Sequence, residues 1–302
     1  MSKEPKVCAI IVTYNGIEWI EKCLRSIIKS TITVDIIVVD NGSEDGTLTF
    51  VKSNFPSIHL IESPVNLGFG EANNRGLRYC LGIGYDFYFL LNQDAWVQES
   101  TIKRLTKYQS SSPEFGIISP VHLNGSGTSF DRNFAFFVRE ELNPGLLEIC
   151  KQELAVEKLE PVLFVNAAAW SISDKCLRKV GKFHPAFFHY GEDDNYVSRV
   201  RRSGFMIGIL TSAFIYHDRE DRPPSKLFES FKRKTKRELT IFVLDPFRNV
   251  VFRDLFNYGY SRLRTNLGNT PYYQRPFLFI WGIMCILRVH RLGETCSKDS
   301  PW

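Results

Sequence analysis

An α/β fold is what this sequence predicts: a mostly parallel sheet flanked by helices, followed by a helical extension. Three features carry that expectation. Short, continuously apolar runs alternate with amphipathic stretches through the first half, the pattern of strands buried on both faces by helices. Polar clusters rich in Asn and Asp follow those runs, where ligands bind in parallel sheets. Beyond about residue 222 the chain turns basic and aromatic, with a formal charge of +9 in a protein whose total is +5.

Val7–Val12 is the first run and ends at Thr13-Tyr14-Asn15-Gly16, a strand followed by a turn. Ile17, Ile20, Leu24, Ile27 and Ile28 then recur at helical spacing. Ile36–Val39 predicts a second strand closed by Asp40-Asn41-Gly42-Ser43, Ile58–Ile61 a third and Phe87–Leu91 a fourth. Residues 113–165 are less regular. Val162–Val165 resumes strand character, Ser173–Val180 predicts a helix, and Phe205–Leu210 and Ala213–Tyr216 predict two further strands. Arg222-Pro223-Pro224 marks a boundary, dividing the chain into 1–222 and 223–302.

With 302 residues, such a chain buries a full core without disulfide staples. Its seven cysteines form no C-x-x-C pair, which argues against a zinc ribbon and suits a reducing compartment. The opening Met-Ser-Lys-Glu-Pro-Lys offers no signal peptide, so the expected setting is cytoplasmic.

The first strand–helix turn lacks the G-x-G-x-x-G of a dinucleotide site, and no phosphate-binding P-loop is present. A nucleotide would therefore be held by side chains at the strand ends. Asp40 can accept hydrogen bonds from a ribose hydroxyl or a base N–H, or it can cap the following helix. Thr13, Tyr14 and Asn15 add a hydroxyl, a stacking ring and an amide nearby. In Asn66–Gly76 the glycines allow close approach to a ligand, or open a helix at Glu71. Asp94, after Asn92-Gln93, suits an oxygen-preferring Mg²⁺ or Mn²⁺, or an Asx-turn. Glu192-Asp193-Asp194 brings three carboxylates together, which raises at least one pKa and can poise a base, or simply starts a helix. His217 ends a strand and could ligate a metal, although a lone histidine is usually structural.

In this order the segments resemble family 2 glycosyltransferases of the GT-A fold, closest to the rhamnosyltransferase-like members, over about residues 6–220. The resemblance rests on Val12–Asn15, Val39–Ser43, Asn66–Gly76, Leu91–Asp94, Gly181–Phe183 with Phe187–Asp193, Arg199, Gly204 and His217. It implies that Thr13, Tyr14, Asn15 and Asp40 hold the nucleoside and that Asn66, Gly68 and Asn74 line the donor pocket. Asp94 would be the carboxylate of the D-x-D metal motif, whose first position is Asn92, a neutral ligand at best. Asp193, supported by Glu192, would be the base, and His217 a second metal ligand. Val165–Trp170 would shape the acceptor side. The usual Glu-Asp-x-Asp reads Glu192-Asp193-Asp194-Asn195, an amide in its last place.

The activity so implied is inverting transfer from a UDP-, dTDP- or GDP-linked sugar to a hydroxyl of a glycan or lipid-linked acceptor, for cell-surface polysaccharide. A sugar nucleotidyltransferase would want a Gly-rich basic loop after the first strand, which is absent. A non-catalytic relative would need no acceptor base. The stretch Lys226–Arg237 mixes apolar and basic residues, and Phe277–Leu287 is eleven apolar residues, too short to span a bilayer. The extension is expected to pack on the catalytic domain, to form a homodimer, or to meet an anionic membrane on its inner face. Nucleic acid is not an expected partner.

Overall fold

The computed structural model describes residues 4–151, 157–219, 231–268 and 275–295, so the expected boundary at Arg222-Pro223-Pro224 and the first part of Lys226–Arg237 lie outside the described residues. The first half follows the alternating pattern: β1 (Val7–Thr13), α1 (Ile20–Ile28), β2 (Asp35–Asp40), α2 (Thr47–Asn54), β3 (His59–Glu62), α3 (Phe69–Leu81) and β4 (Phe87–Asn92). Then come β5 (Ala95–Val97), α4 (Thr101–Ser111), β6 (Phe115–Asn124), α5 (Arg132–Phe137), α6 (Leu146–Lys151), β7 (Leu159–Val162) and β8 (Ala169–Ser173). The domain ends with α7 (Asp174–Val180), α8 (Glu192–Arg202) and β9 (Met206–His217).

The nine strands form one sheet in the order β3-β2-β1-β4-β8-β6-β9-β5, with β7 on β9. Parallel pairing runs through β3, β2, β1 and β4. Beyond β4 the sheet is mixed: β8 is antiparallel to β4 and β6, and β5 and β7 are antiparallel to β9. β6 and β9 pair in parallel, so the expected parallel pairing runs through β3-β2-β1-β4 and returns at β6-β9, with antiparallel strands between and beyond them. Alternate residues of β1 feed two cores. Cys8 and Ile10 pack under α3, α7 and α8, whereas Val7, Ala9 and Ile11 pack under α1, α2 and α4. Helices on both faces explain why these strands are apolar throughout.

Two corrections concern the second half. The irregular stretch contains β6, ten consecutive buried residues. The two strands expected at 205–216 are one strand, β9, with an irregular register opposite Pro120 and Val121 of β6.

Three helices follow: α9 (Phe231–Val243), α10 (Phe252–Gly268) and α11 (Arg275–Thr295). Their core of Leu239, Val243, Leu255, Leu263, Ile286 and Val289 also takes in Phe187 of the preceding domain. Asn195 Nδ2 of α8 donates to the Leu244 carbonyl at 3.1 Å. The helical unit thus packs on the domain that carries the sheet, as one of the three expectations for it held.

Arg199 sets the orientation of α8. It is buried, donates to the carbonyls of Val180 (2.8 Å) and Lys182 (2.6 Å), and meets Asn195 Oδ1 at 3.0 Å. Burial lowers its pKa to about 10. Arg199→Met would keep the bulk and leave three buried acceptors unpaired. A loss of about 3 kcal/mol in urea unfolding is expected, since each orphaned group costs roughly 1–3 kcal/mol. A loss below about 1 kcal/mol would contradict this anchoring role.

Candidate active site

Thr13, Tyr14 and Asn15 leave β1 beside Asp40, which leaves β2, because the two strands pair in register Thr13↔Asp40. Asp40 is buried. Its Oδ2 accepts from Gly42 and Ser43 N–H at 3.2 and 3.1 Å, so the capping alternative is real. Its Oδ1 is buried and without a hydrogen-bond partner, which leaves it able to accept from a ligand. Tyr14 is 43% exposed beside it. Asn15, at φ +48°, knits its turn to the next: its N–H donates to Ser43 Oγ and its Oδ1 accepts from Glu44 N–H.

Gln93, which the sequence reading passed over, clips that turn to the end of β4. Its Oε1 accepts from Thr13 Oγ1 (2.7 Å) and from Tyr14 N–H (2.8 Å), and its Nε2 donates to the Tyr14 carbonyl. No periodicity marks such a residue. The only signal is Gly16, where a Cβ would meet Gln93 Oε1 at 2.2 Å.

The glycine-rich loop is bonded to protein at the residues expected to line the donor pocket. Asn74, expected to line the donor pocket, is buried and grips the backbone of Phe183 from both ends, Nδ2 to its carbonyl at 2.9 Å and Oδ1 from its N–H at 2.8 Å. Asn66 Oδ1 accepts from Asn41 Nδ2 and from Gly68 N–H, shaping the loop itself. Gly68, at φ +81°, makes its close approach to protein: a Cβ there would lie 1.9 Å from the Phe188 carbonyl oxygen. The loop thereby braces the segment leading into α8, and Phe69 N–H donates to that same oxygen. Gly84 has a similar φ of +84° and open space around it. Gly68→Ala should therefore destabilise by about 2 kcal/mol more than Gly84→Ala. Equal losses in urea unfolding would remove the Phe188 contact from the account.

Asp94 sits in the two-residue turn between β4 and β5, directly after Asn92 at the end of β4. Antiparallel pairing of β5 with β9 sets Ala95 opposite His217. His217 Nε2 lies 3.4 Å from Asp94 Oδ1, and Nδ1 lies 3.2 Å from Asp131 Oδ2. His217 is wholly buried, and neither contact is aligned as a regular hydrogen bond. Asp131 caps α5, its Oδ1 accepting from Phe134 N–H at 2.8 Å, and a turn after β6 returns it beside His122. The sequence reading missed Asp131 because it found no helix at 132–137; an Asp placed three residues before Phe134 was the available cap signal.

Burial pushes His217 down, but the charges of Asp94 and Asp131 outweigh it and hold the imidazole at about 9. Burial would raise Asp131, and its contact with His217 holds it below the usual range instead. Burial also drives the neighbouring His122 down to about 3, helped by the charge of His217. In metal-free protein His217 is thus protonated at neutral pH. A pKa raised from 6.5 adds stability that is full below pH 6.5 and lost as pH rises through about 9. Imidazole NMR should show His217 titrating near 9, and Asp131→Asn should bring that value down by about one unit or more. A His217 that titrates below 6.5 would contradict the charged reading.

Among the described residues no three His, Cys, Asp or Glu side chains form a metal-holding group. Asp94 and His217 are a pair, which fits a cation that completes its shell with phosphate oxygens. The buried Nε2, without an aligned partner and close to a carboxylate, is what a ligand needs once its proton leaves.

At α8, Asp193 is half-buried and Glu192 buried, while Asp194 is exposed. Burial and the charge of Asp193 push Glu192 up to about 8. Asp193 is also raised by burial, opposed by the N–H groups of Asp194, Asp193, Gly191 and Ala167. All three carboxyls are thus raised, Asp194 to about 7 by burial and the charge of Asp193. Ala168 of Val165–Trp170 accepts from Asn92 N–H at 2.9 Å, which ties that segment to the end of β4.

Residues 8–173, more than half the chain, match glycosyl transferase family 2. A low-salt glycan biosynthesis hexosyltransferase of Haloferax volcanii is 30% identical over 201 residues, 66% of this chain and 62% of that protein. An N-acetylglucosaminyl-diphospho-decaprenol L-rhamnosyltransferase of Mycobacterium tuberculosis is 23% identical over 69% of this chain and 74% of its own length. Among solved structures, TarS of S. aureus in complex with UDP-GlcNAc superposes with a TM-score of 0.60 at 17% identity, covering 94% of this chain and 81% of that one. The mannosyltransferase PcManGT of Pyrobaculum calidifontis, in complex with GDP-Man and Mn²⁺, gives 0.55 at 17% identity, covering 98% and 77%. The fold is of the GT-A type, and the chain is a glycosyltransferase belonging to family 2.

Proposed function

We propose that this enzyme transfers a sugar, with inversion, from a nucleoside-diphosphate donor to a hydroxyl of a glycan or lipid-linked acceptor in cell-surface polysaccharide synthesis. The observation that carries the reading is the gathering of Asp40, with its unpartnered Oδ1, and the Asp94–His217 contact at 3.4 Å by the carboxyl ends of the parallel strands β2 and β4. A nucleotide edge with a cation-holding pair beside it suits a transfer in which a diphosphate leaves, and Asp193 at the start of α8 is the base we assign to it. The relatives support both substrates: one acts on a lipid-diphosphate acceptor by its name, and the structural neighbours hold UDP-GlcNAc or GDP-Man.

In this mechanism Asp40 Oδ1 accepts from the ribose or base, and Tyr14 stacks on the base. Asp193 takes the acceptor hydroxyl proton while the oxygen attacks the anomeric carbon opposite the diphosphate. The carbon–oxygen bond to the diphosphate breaks as the new bond forms, so configuration inverts and no sugar–enzyme intermediate arises. Glu192 stands beside it, raised by burial and by the charge of Asp193. A Mg²⁺ or Mn²⁺ ion held by Asp94 and His217 would supply positive charge to the diphosphate as it leaves.

Asp193→Asn keeps the shape of the side chain but cannot take the proton. Single-turnover transfer should fall by ~10²–10⁴-fold, with donor affinity unchanged by calorimetry. Asp94→Ala should give the complementary result, losing the Mn²⁺-dependent part of nucleotide affinity. Near-normal transfer by Asp193→Asn would place the base elsewhere, and cation-independent nucleotide binding in the unaltered chain would overturn the role of Asp94.

A further inference from the structure

The helical unit turns a continuous apolar surface outward. On α10, Phe252, Phe256 and Tyr260 recur every four residues on one face, 37–47% exposed, with ring centroids 6.1 and 6.5 Å apart. The ridge continues onto α11, where Tyr260 meets Phe279 edge-on at 6.1 Å and Phe252 meets His290 at 5.0 Å. Beside it on α11, Phe277, Ile280, Met284 and Leu287 are 45–76% exposed. The opposite face of the same helix, Cys285, Ile286 and Val289, is buried in the unit's own core. A helix apolar all round belongs against other apolar material on every side. Here only one side has it.

Charge selects the occupant. The two helices carry six arginines against two acids, Asp254 and Glu294. Arg253, Arg264, Arg288 and Arg291 are exposed. In a two-fold dimer this face would meet itself, bringing like charges together around the apolar centre. An anionic phospholipid surface offers apolar depth and the complementary charge at once. No helix among the described residues is long and apolar enough to cross a membrane, so the geometry is that of a unit lying on the surface.

We propose that the α10–α11 face docks on an anionic phospholipid membrane, with the aromatic and aliphatic side chains entering the interface and the arginines meeting the headgroups. The catalytic domain is joined to this unit by packing and a hydrogen bond. Ile241 of α9 packs against Gly191, where an added Cβ would meet it at 3.0 Å, and Leu244 is bonded to Asn195 two residues beyond Asp193. Docking therefore fixes the acceptor side relative to the bilayer, a consequence that rests on the lipid-linked acceptor proposed above; the docking itself does not.

The test is co-sedimentation of the full chain with vesicles of phosphatidylcholine alone or mixed with phosphatidylglycerol. Binding to the anionic vesicles is expected at low salt, weakened about tenfold or more in neutral vesicles or when salt shortens the screening length below ~10 Å. The double variant Phe277→Glu, Ile280→Glu alters only outward side chains and should lose anionic binding by a similar factor while keeping its melting temperature. A second double variant, Arg253→Glu with Arg288→Glu, should lose the salt-sensitive part. Failure to bind either vesicle, or unchanged binding by the glutamate variants, would overturn the proposal. Self-association that vanishes in Phe277→Glu, Ile280→Glu would overturn it in favour of a second copy. None of these readouts uses transfer, so an error in the catalytic assignment leaves them unaffected.

Discussion

A buried imidazolium held between two carboxylates joins three parts of the chain that are distant in sequence. Asp94 comes from the turn after β4, Asp131 from the turn after β6, and His217 from the last residue of β9. Removing any one leaves charge stranded in a region that water does not reach, a loss of several kcal/mol. Much of the topology serves this meeting. β9 runs parallel to β6, which brings His217 beside Asn124, and antiparallel to β5, which brings it beside Ala95.

The start of α8 is built by a different means. Asp193 stands at the start of α8, whose direction is fixed by Arg199 gripping the chain after α7. The Gly68 loop closes on the Phe188 carbonyl, and Asn74 pins Phe183, so α3 supports the 183–192 segment from below. Gly68 and Asn74 thus hold the backbone that presents Asp193.

The first half of the sheet was legible because β1, β2 and β4 are buried on both faces, and such strands need unbroken apolar runs. β6 needs them too, yet it carries Ser119, Pro120 and His122 in its middle. Ser119 Oγ is bonded to the Ala169 carbonyl and lies 3.0 Å from His122 Nε2, so these polar groups find partners inside the sheet, and the apolar signal disappears. β9 was divided by Thr211-Ser212, where Thr211 instead bridges to Lys158. Asp40, Asp94, Asp193 and His217 could be named from their places after strands or at a helix start. Their partners could not. Asp131, Gln93 and the true task of Asn74 depend on contacts between segments 80 or more residues apart, or on a cap too short to leave a period.

The sharing of Phe187 between the catalytic domain and the core of α9–α11 also orders events in time. Chains emerge from the ribosome amino end first, and units fold as they appear. The sheet can close once β9 has emerged, but the ground beneath the start of α8 is complete only after Val289. A nascent molecule would thus complete its sheet before the segment that presents Asp193 is firm.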